Sequence, residues 1–232
     1  MSEYKLTHHK IIRSVLENFN TDFFIDNSIF FGGGTRIALE INEYRESIDV
    51  DFLCPNKTAY RAVREQVTSA SLGKLVKKEF IYAREIGFDR YAVRTFIREQ
   101  DTNIKLEIVS CDNYELVGDS RSIFPVPFID RETCFYTKLL ANSDRCLQGQ
   151  CKDIFDILAM YDAWGKIPEE AFRKAEEHYG SSILNDLIRS LNDICSNHEK
   201  YYELADGMLI QRDFSSKLIK TTTQELLSQL SQ

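Results

Sequence analysis

The sequence has no CxxC pair among its six cysteines, only four prolines and one tryptophan, and no apolar run near the roughly 20 residues a membrane span requires. Cysteines 54, 111, 134, 146, 151 and 195 are scattered, and the closest two, Cys146 and Cys151, have no histidine nearby. That spacing argues against a structural zinc site and leaves buried, reduced thiols as the expectation. Positive charge is also in short supply. With 29 Lys and Arg against 36 Asp and Glu, the formal charge is −7, which excludes a protein that coats nucleic acid. The opening Met1-Ser2-Glu3-Tyr4-Lys5 carries no apolar signal core, so a cytoplasmic location without a membrane partner is expected.

What remains is an ordinary globular composition, 43% hydrophobic over 232 residues, enough for one large domain or two small ones. Its charge is uneven. Between Arg61 and Arg98 lie nine basic residues (Arg61, Arg64, Lys74, Lys77, Lys78, Arg84, Arg90, Arg94, Arg98) and only four acidic ones (Glu65, Glu79, Glu85, Asp89). A local basic surface on an acidic protein suits a phosphate-rich substrate, and an ordinary solvated sheet edge and helix face would look the same.

Hydrophobic periodicity divides the chain in two. Helical spacing of Ile11, Ile12, Val15, Leu16 and Phe19 predicts a helix over about 4–19. Short strands are expected at 28–31 and 48–53, the second stopped by Pro55. A helix at 36–41 lies between them, capped by the preceding glycines and Thr35. A helix at 57–71 and strands at 75–84, 91–99 and 104–110 follow, the last two joined by the polar hairpin signal Gln100-Asp101-Thr102-Asn103. Ile123 to Phe128 is extended because of its two prolines. From Asp130, a plausible N-cap, the pattern turns helical: 130–147, 151–164 stopped by Gly165, one from Pro168 to near Gly180, then two or three more. The expected fold is α+β, an α/β half in residues 1–128 and a helical C-terminal domain in 129–232.

The chemistry-bearing residues sit at the first strand pair. Phe30-Phe31-Gly32-Gly33-Gly34-Thr35 is a glycine turn opening a helix, where exposed N–H groups and the helix dipole attract phosphate. Thr35 adds a hydroxyl donor. Three glycines alone form a weak motif, and no GK[ST] follows to make a P-loop. Fourteen residues after Thr35 comes Asp49-Val50-Asp51. On a strand, Asp49 and Asp51 share one face while Ile48, Val50 and Phe52 point to the core. Two carboxylates on one face repel unless a cation neutralises them, and they are hard oxygen ligands suited to magnesium. Two-metal phosphoryl transfer asks for a further carboxylate. Glu107, on the polar face of Ile104-Lys105-Leu106-Glu107-Ile108, supplies it if that strand pairs beside Asp49 and Asp51; otherwise Lys105 and Glu107 only line a wet sheet face. Farther on, Lys138 and Arg145 share a helix face, as do Asp153 and Asp156, and Lys138 could reach either aspartate or a triphosphate. Spacing alone favours surface ion pairs, worth well under about 1 kcal/mol each.

Taken together, Phe31-Gly32-Gly33-Gly34-Thr35-Arg36-Ile37-Ala38-Leu39 and Tyr44-Arg45-Glu46-Ser47-Ile48-Asp49-Val50-Asp51-Phe52 resemble the AbiEii/AbiGii nucleotidyltransferase toxins of the DNA polymerase β-like superfamily. Lys138-Leu139 and Lys152-Asp153-Ile154-Phe155-Asp156 are similar to that family's C-terminal motifs. The chain departs from the family pattern in lacking a basic residue before the glycines and in having Lys152 where arginine is common. The resemblance implies a nucleotidyltransferase-like mixed sheet followed by a helical domain, with NTP and Mg2+ as ligands. It implies transfer of a nucleotide to RNA, in studied relatives the tRNA acceptor end, and an antitoxin partner. Carried over by position, Gly34 and Thr35 hold phosphates, Asp49 and Asp51 hold metal, and Lys138 and Asp153 assist. Gly33 and Lys138 are expected at the nucleotide as well, and Glu107, from its place on the strand face, is expected as the third metal ligand. A small-molecule or protein acceptor, and a non-catalytic nucleotide- or partner-binding module, are the competing readings.

Overall fold

Alternating burial along two strands fixes the centre of the sheet. In the strand Asp49–Cys54, Val50, Phe52 and Cys54 are fully buried while Asp49, Asp51 and Leu53 are half-exposed. The computed structural model describes residues 4–111, 113–149 and 151–231; Met1-Ser2-Glu3 of the N-terminal stretch lies outside them. Two units are distinguished: Met1–Arg36 with Ser47–Asp130, and Ile37–Glu46 with Arg131–Gln232. The fold is α+β with a mixed sheet.

The first unit contains α1 (Thr7–Glu17), α2 (Thr21–Asp26), β1 (Phe30–Gly32), the start of α3 (Gly33–Glu40), β2 (Asp49–Cys54), α4 (Lys57–Arg64), β3 (Ile81–Tyr82), β4 (Gly87–Phe88), β5 (Ala92–Glu99) and β6 (Thr102–Ser110). The strand order is β1-β2-β6-β5-β3, with β4 also paired to β5. β2 and β6 run parallel, and the other pairs are antiparallel. The β5–β6 hairpin turns through Gln100 and Asp101, both left-handed (φ 48° and 62°), as a two-residue turn matched to strand twist requires. The buried face of the sheet is aromatic. Phe52 lies 4.7 Å from Phe19 and 4.6 Å from Phe24, ring centre to ring centre, in edge-on and tilted arrangements.

Several boundaries differ from the sequence expectation, for physical reasons. The strand expected at 75–84 shrinks to β3, and Gly73–Leu75 is a 3-10 turn; the exposed Lys77-Lys78-Glu79 has no buried face to offer. α4 stops at Arg64, not near Ser71, and Thr68 closes a tight turn by its N–H to the Ser71 carbonyl. Ser and Thr favour such turns over helix interiors. Ile48, expected in the core, is 47% exposed because it precedes the first pleated residue, Asp49. The glycines and Thr35 do not cap α3 from outside: Gly33, Gly34 and Thr35 are its first turn.

The second unit has α5 (Arg131–Asp144), α6 (Lys152–Trp164), α7 (Glu169–Tyr179), α8 (Ser182–Ser196), α9 (His198–Gly207), α10 (Arg212–Ser216) and α11 (Thr223–Leu230), joined by a π-helical turn at Lys217–Thr222. Gly165 and Gly180 terminate α6 and α7 with positive φ, as the sequence leads one to expect. α6 is central: its residues from Asp153 to Met160 are all buried. Among the described residues, no helix is long and apolar enough to cross a membrane. Truncating the aromatic centre, Phe52→Ala, is expected to cost about 3–5 kcal/mol in urea denaturation, through lost burial and the cavity left behind.

Candidate active site

The strand pairings assemble one polar face. Across the sheet, Gly32 registers with Asp51, Asp51 with Glu107, and Glu107 with Arg94; in the next row, Asp49 registers with Lys105. The apolar residues of the same strands, Val50, Phe52, Ile104, Leu106 and Ile108, are completely buried on the other side. Asp49 and Asp51 are therefore neighbours on a half-exposed face, and β6 does pair beside them as the Glu107 expectation required.

A glycine brings the turn to the aspartates. Gly33 has φ +70°, and a Cβ built on it would fall 2.2 Å from Oδ2 of Asp51. Any other residue meets both a left-handed backbone penalty and a collision. The absent side chain lets the Asp51 carboxylate lie against the backbone where α3 begins. Helix starts leave their first N–H groups without intrahelical partners, so carboxylate and potential phosphate donors stand side by side.

Thr35 is turned inward. It is 1% exposed, and its hydroxyl lies 2.5 Å from the Asp49 carbonyl, to which it donates, and 2.8 Å from the Ser47 hydroxyl. In this geometry Thr35 fixes the backbone that carries Asp49, and any contact with phosphate falls to the main chain of the glycine turn. The next link was missed by the sequence reading. His9, fully buried on α1, accepts the Ser47 N–H at Nε2 over 3.1 Å. Its position three residues before Ile12, on the apolar stripe of α1, was the available signal. His9, Ser47 and Thr35 thus form a relay of hydrogen bonds ending at Asp49.

Glu107 has company. Its carboxylate accepts from Arg94 Nε at 3.0 Å and contacts Lys105 Nζ, so its charge is already matched by two cations. Among the described residues no three His, Cys, Asp or Glu side chains gather into a ready-made metal cage. The two aspartates still fit a hard divalent ion, because magnesium uses one or two carboxylates and completes its shell with water and substrate phosphate.

In the second unit, Asp153 and Asp156 do not form the surface ion pairs expected from their spacing. They are 6% and 0% exposed. Lys138 Nζ lies 2.8 Å from Asp153 Oδ1 and 2.5 Å from Asp156 Oδ2. Arg45 grips Asp156 with both Nε (2.8 Å) and Nη2 (3.2 Å), and the Tyr44 hydroxyl donates to the same carboxylate. Arg145 reaches Asp153 at 2.6 Å from the exposed side. Burial alone would push the Asp156 carboxyl up, but Arg45 and Lys138 outweigh it and hold it well below the ordinary carboxylate range. Burial would lower Lys138; Asp153 and Asp156 instead raise it. Arg45, Lys138, Asp153 and Asp156 are thus kept charged, while burial and the neighbouring Asp156 push the Tyr44 phenol up and keep it neutral. Tyr44 and Arg45 lie in a polar stretch without periodicity, so nothing in sequence spacing disclosed their part.

Two outcomes follow from these geometries. Gly33→Ala should destabilise the protein by at least about 1–2 kcal/mol, from the left-handed conformation alone, and should lower nucleotide binding measured by calorimetry. Asp156→Asn should cost about 3–5 kcal/mol at pH 7 by leaving buried cations unmatched. The depressed carboxyls of Asp153 and Asp156 stabilise the fold in full well above the unfolded carboxylate pKa of about 3.9, and this is lost progressively as pH falls from about 5 toward the lower folded values. Urea titrations should accordingly show the gap between wild type and Asp156→Asn narrowing as the pH falls from 5 toward 3.

Comparison with known proteins matches the chain to a family. The sequence model described as "Nucleotidyl transferase AbiEii toxin, Type IV TA system" matches residues 14–231. No curated protein matches the chain by sequence. Among solved structures, the chain is similar to a Helicobacter pylori protein provisionally described as a nucleotidyltransferase, with TM-score 0.59, 17% identity, and 100% of this chain and 98% of that one covered. It is also similar to JHP933 from Helicobacter pylori, with TM-score 0.57, 18% identity, and coverage of 100% and 95%. At such identities the likeness is one of fold. The family match, in contrast, spans nearly the whole sequence and contains the glycine turn, the aspartate pair and the Lys138–Asp156 cluster: the chain belongs to the AbiEii nucleotidyltransferase toxin family of type IV toxin–antitoxin systems.

Proposed function

We propose that this protein transfers a nucleotide from an NTP to an acceptor hydroxyl on RNA, with the 3′ end of tRNA as the acceptor and Mg2+ held by Asp49 and Asp51. The hydroxyl oxygen bonds to the α-phosphorus, the bond to the β-phosphate breaks, and pyrophosphate leaves. The observation that carries this reading is the apposition of Asp51 and the left-handed Gly33, which sets a carboxylate pair against a helix start. A divalent ion, when bound, neutralises triphosphate charge and activates the attacking hydroxyl. The chain's own residues bind and orient. Gly33 and Gly34 offer main-chain N–H groups to phosphate oxygens, Thr35 holds the Asp49 backbone, and Asp49 and Asp51 supply the metal oxygens. Glu107, flanked by Arg94 and Lys105, is either a further ligand or the acceptor of the hydroxyl proton. Lys138 and Asp153 are read as an ionised pair assisting the transfer. The Lys138 charge is matched by two aspartates, so phosphate engages it only in competition with them. Membership of a type IV toxin family implies an antitoxin counterpart, and the cytoplasm is the proposed site of action.

The test is incubation with Mg2+, each labelled NTP in turn, and total tRNA. Label should enter tRNA with wild type, and Asp49→Asn/Asp51→Asn should reduce it by more than about a hundredfold while keeping the wild-type melting profile. Undiminished labelling by the double variant would overturn the assignment of the aspartates. Wild-type labelling of a small molecule or a protein in place of tRNA would overturn the acceptor.

A further inference from the structure

The polar face that bears Asp49 and Asp51 continues across the sheet and changes sign. Asp49 registers with Lys105, and Lys105 with Phe96; Asp51 leads through Glu107 to Arg94. One step farther along β5, Arg98 registers with Ile81 of β3. Arg94, Phe96 and Arg98 are alternate residues on β5, so all three share this face, about 6–7 Å apart. Their intervening partners, Thr95 and Ile97, are fully buried beneath. Arg84, itself exposed, lays its guanidinium over the Phe96 ring at 4.6 Å from the ring centre. Ile81 is 70% exposed at the edge.

The cations here are not equally engaged. Arg94 and Lys105 belong to Glu107, and Arg94 also contacts Asp89 at 3.3 Å. Among the described residues, the carboxylate that Arg98 meets is that of the hairpin tip, Asp101, at 3.3 Å, where both side chains are largely exposed. Such exposed pairs contribute little and are screened by salt, so a polyanion displaces Asp101 at small cost. Arg84 lies over an aromatic ring and is itself exposed. A flat cation on an aromatic ring, with an exposed apolar side chain at the edge and a second arginine beside it, offers both stacking and phosphate contact. Single-stranded nucleic acids are held by that combination, whereas an acidic peptide would use the charge and leave the stacking platform unfilled. The −7 chain as a whole repels polyanions, which makes this strip a local site and not a general coat.

We propose that the strip formed by Phe96 and Arg98 of β5 with Arg84 from the segment after β3 receives the unpaired end of a polynucleotide acceptor and leads it along the sheet toward Asp49 and Asp51. This rests on the nucleotidyltransferase reading above and adds where the acceptor lies. The strip lies wholly within the first unit, and Arg84 and Arg98 touch none of the residues assigned to metal or NTP.

The test is fluorescence anisotropy with a labelled single-stranded RNA oligonucleotide, titrated without NTP over a range of salt, beside calorimetric NTP binding. Arg84→Glu/Arg98→Glu should weaken RNA binding at least tenfold and reduce the slope of log K against log salt by about 1.4, two phosphate contacts on a single strand. NTP affinity and melting temperature should not change. Phe96→Leu should weaken binding with an unaltered salt slope. If the charge-reversed pair proves poorly folded, Arg84→Gln/Arg98→Gln should give the same slope change with a smaller loss. Wild-type affinity and slope in a folded variant would overturn the strip. So would equal competition by poly-glutamate, which would make the surface a generic acidic-protein dock. Absence of RNA binding by wild type that still binds NTP would overturn this proposal while leaving the nucleotidyl-transfer reading standing.

Discussion

Parallel pairing of β2 with β6 decides what the exposed face of this sheet contains. The side-chain period of a strand is two, so a slip of one residue would turn Asp49, Asp51 and Glu107 into the aromatic core and expose Val50, Phe52 and Leu106. The register is protected by that penalty. Phe52 is packed between Phe19 and Phe24, and cannot leave without dismantling the first unit's centre. The acidic face is thus held in place by the apolar face beneath it. The Gly33 turn and the Thr35–Asp49 hydrogen bond complete the arrangement from the side.

Residues with a local signature were legible in the sequence. β2 and β6 announce themselves by strict alternation, the hairpin by its polar turn, and the ends of α6 and α7 by glycine. The structural placing of Asp51 beside Glu107 needed only the guess that these two strands are neighbours. What the sequence concealed is determined by partners far away along the chain. Asp153 and Asp156 look like surface residues because α6 gives no hint that Lys138 comes to meet both and that Arg45, from a polar loop, comes to meet Asp156. His9 looks like a passenger on an amphipathic helix until Ser47 arrives to donate to it. Ile48 fails in the opposite sense: its alternation with Val50 is real, but the pleat starts one residue later.

The two polar constructions solve the cost of burying charge differently. The sheet face keeps its aspartates half in water, where solvent meets most of the cost and a bound cation can supply the rest. The second unit removes Asp156 from water entirely and matches it with two cations and a phenol. A buried cluster of this kind contributes less to stability than an apolar replacement of equal volume would, because desolvation offsets the attraction. Its value is in geometry: Tyr44, Arg45 and the facing sides of α5 and α6 accept only one arrangement that leaves no charge alone.

Arg45 and Asp156 are separated by 111 positions in the chain. Residues Ile37–Glu46 are counted with the helical unit although most of that unit is encoded after Asp130. During synthesis at roughly 5–20 residues per second, Arg45 therefore emerges several seconds or more before the carboxylate that will enclose it. For that interval the nascent chain carries an exposed arginine and the end of a helix whose packing surface has not been made. The helical unit is closed only by a segment that left the ribosome first, and a gene fragment starting at Arg131 would encode a helical unit missing the cation for its central aspartate.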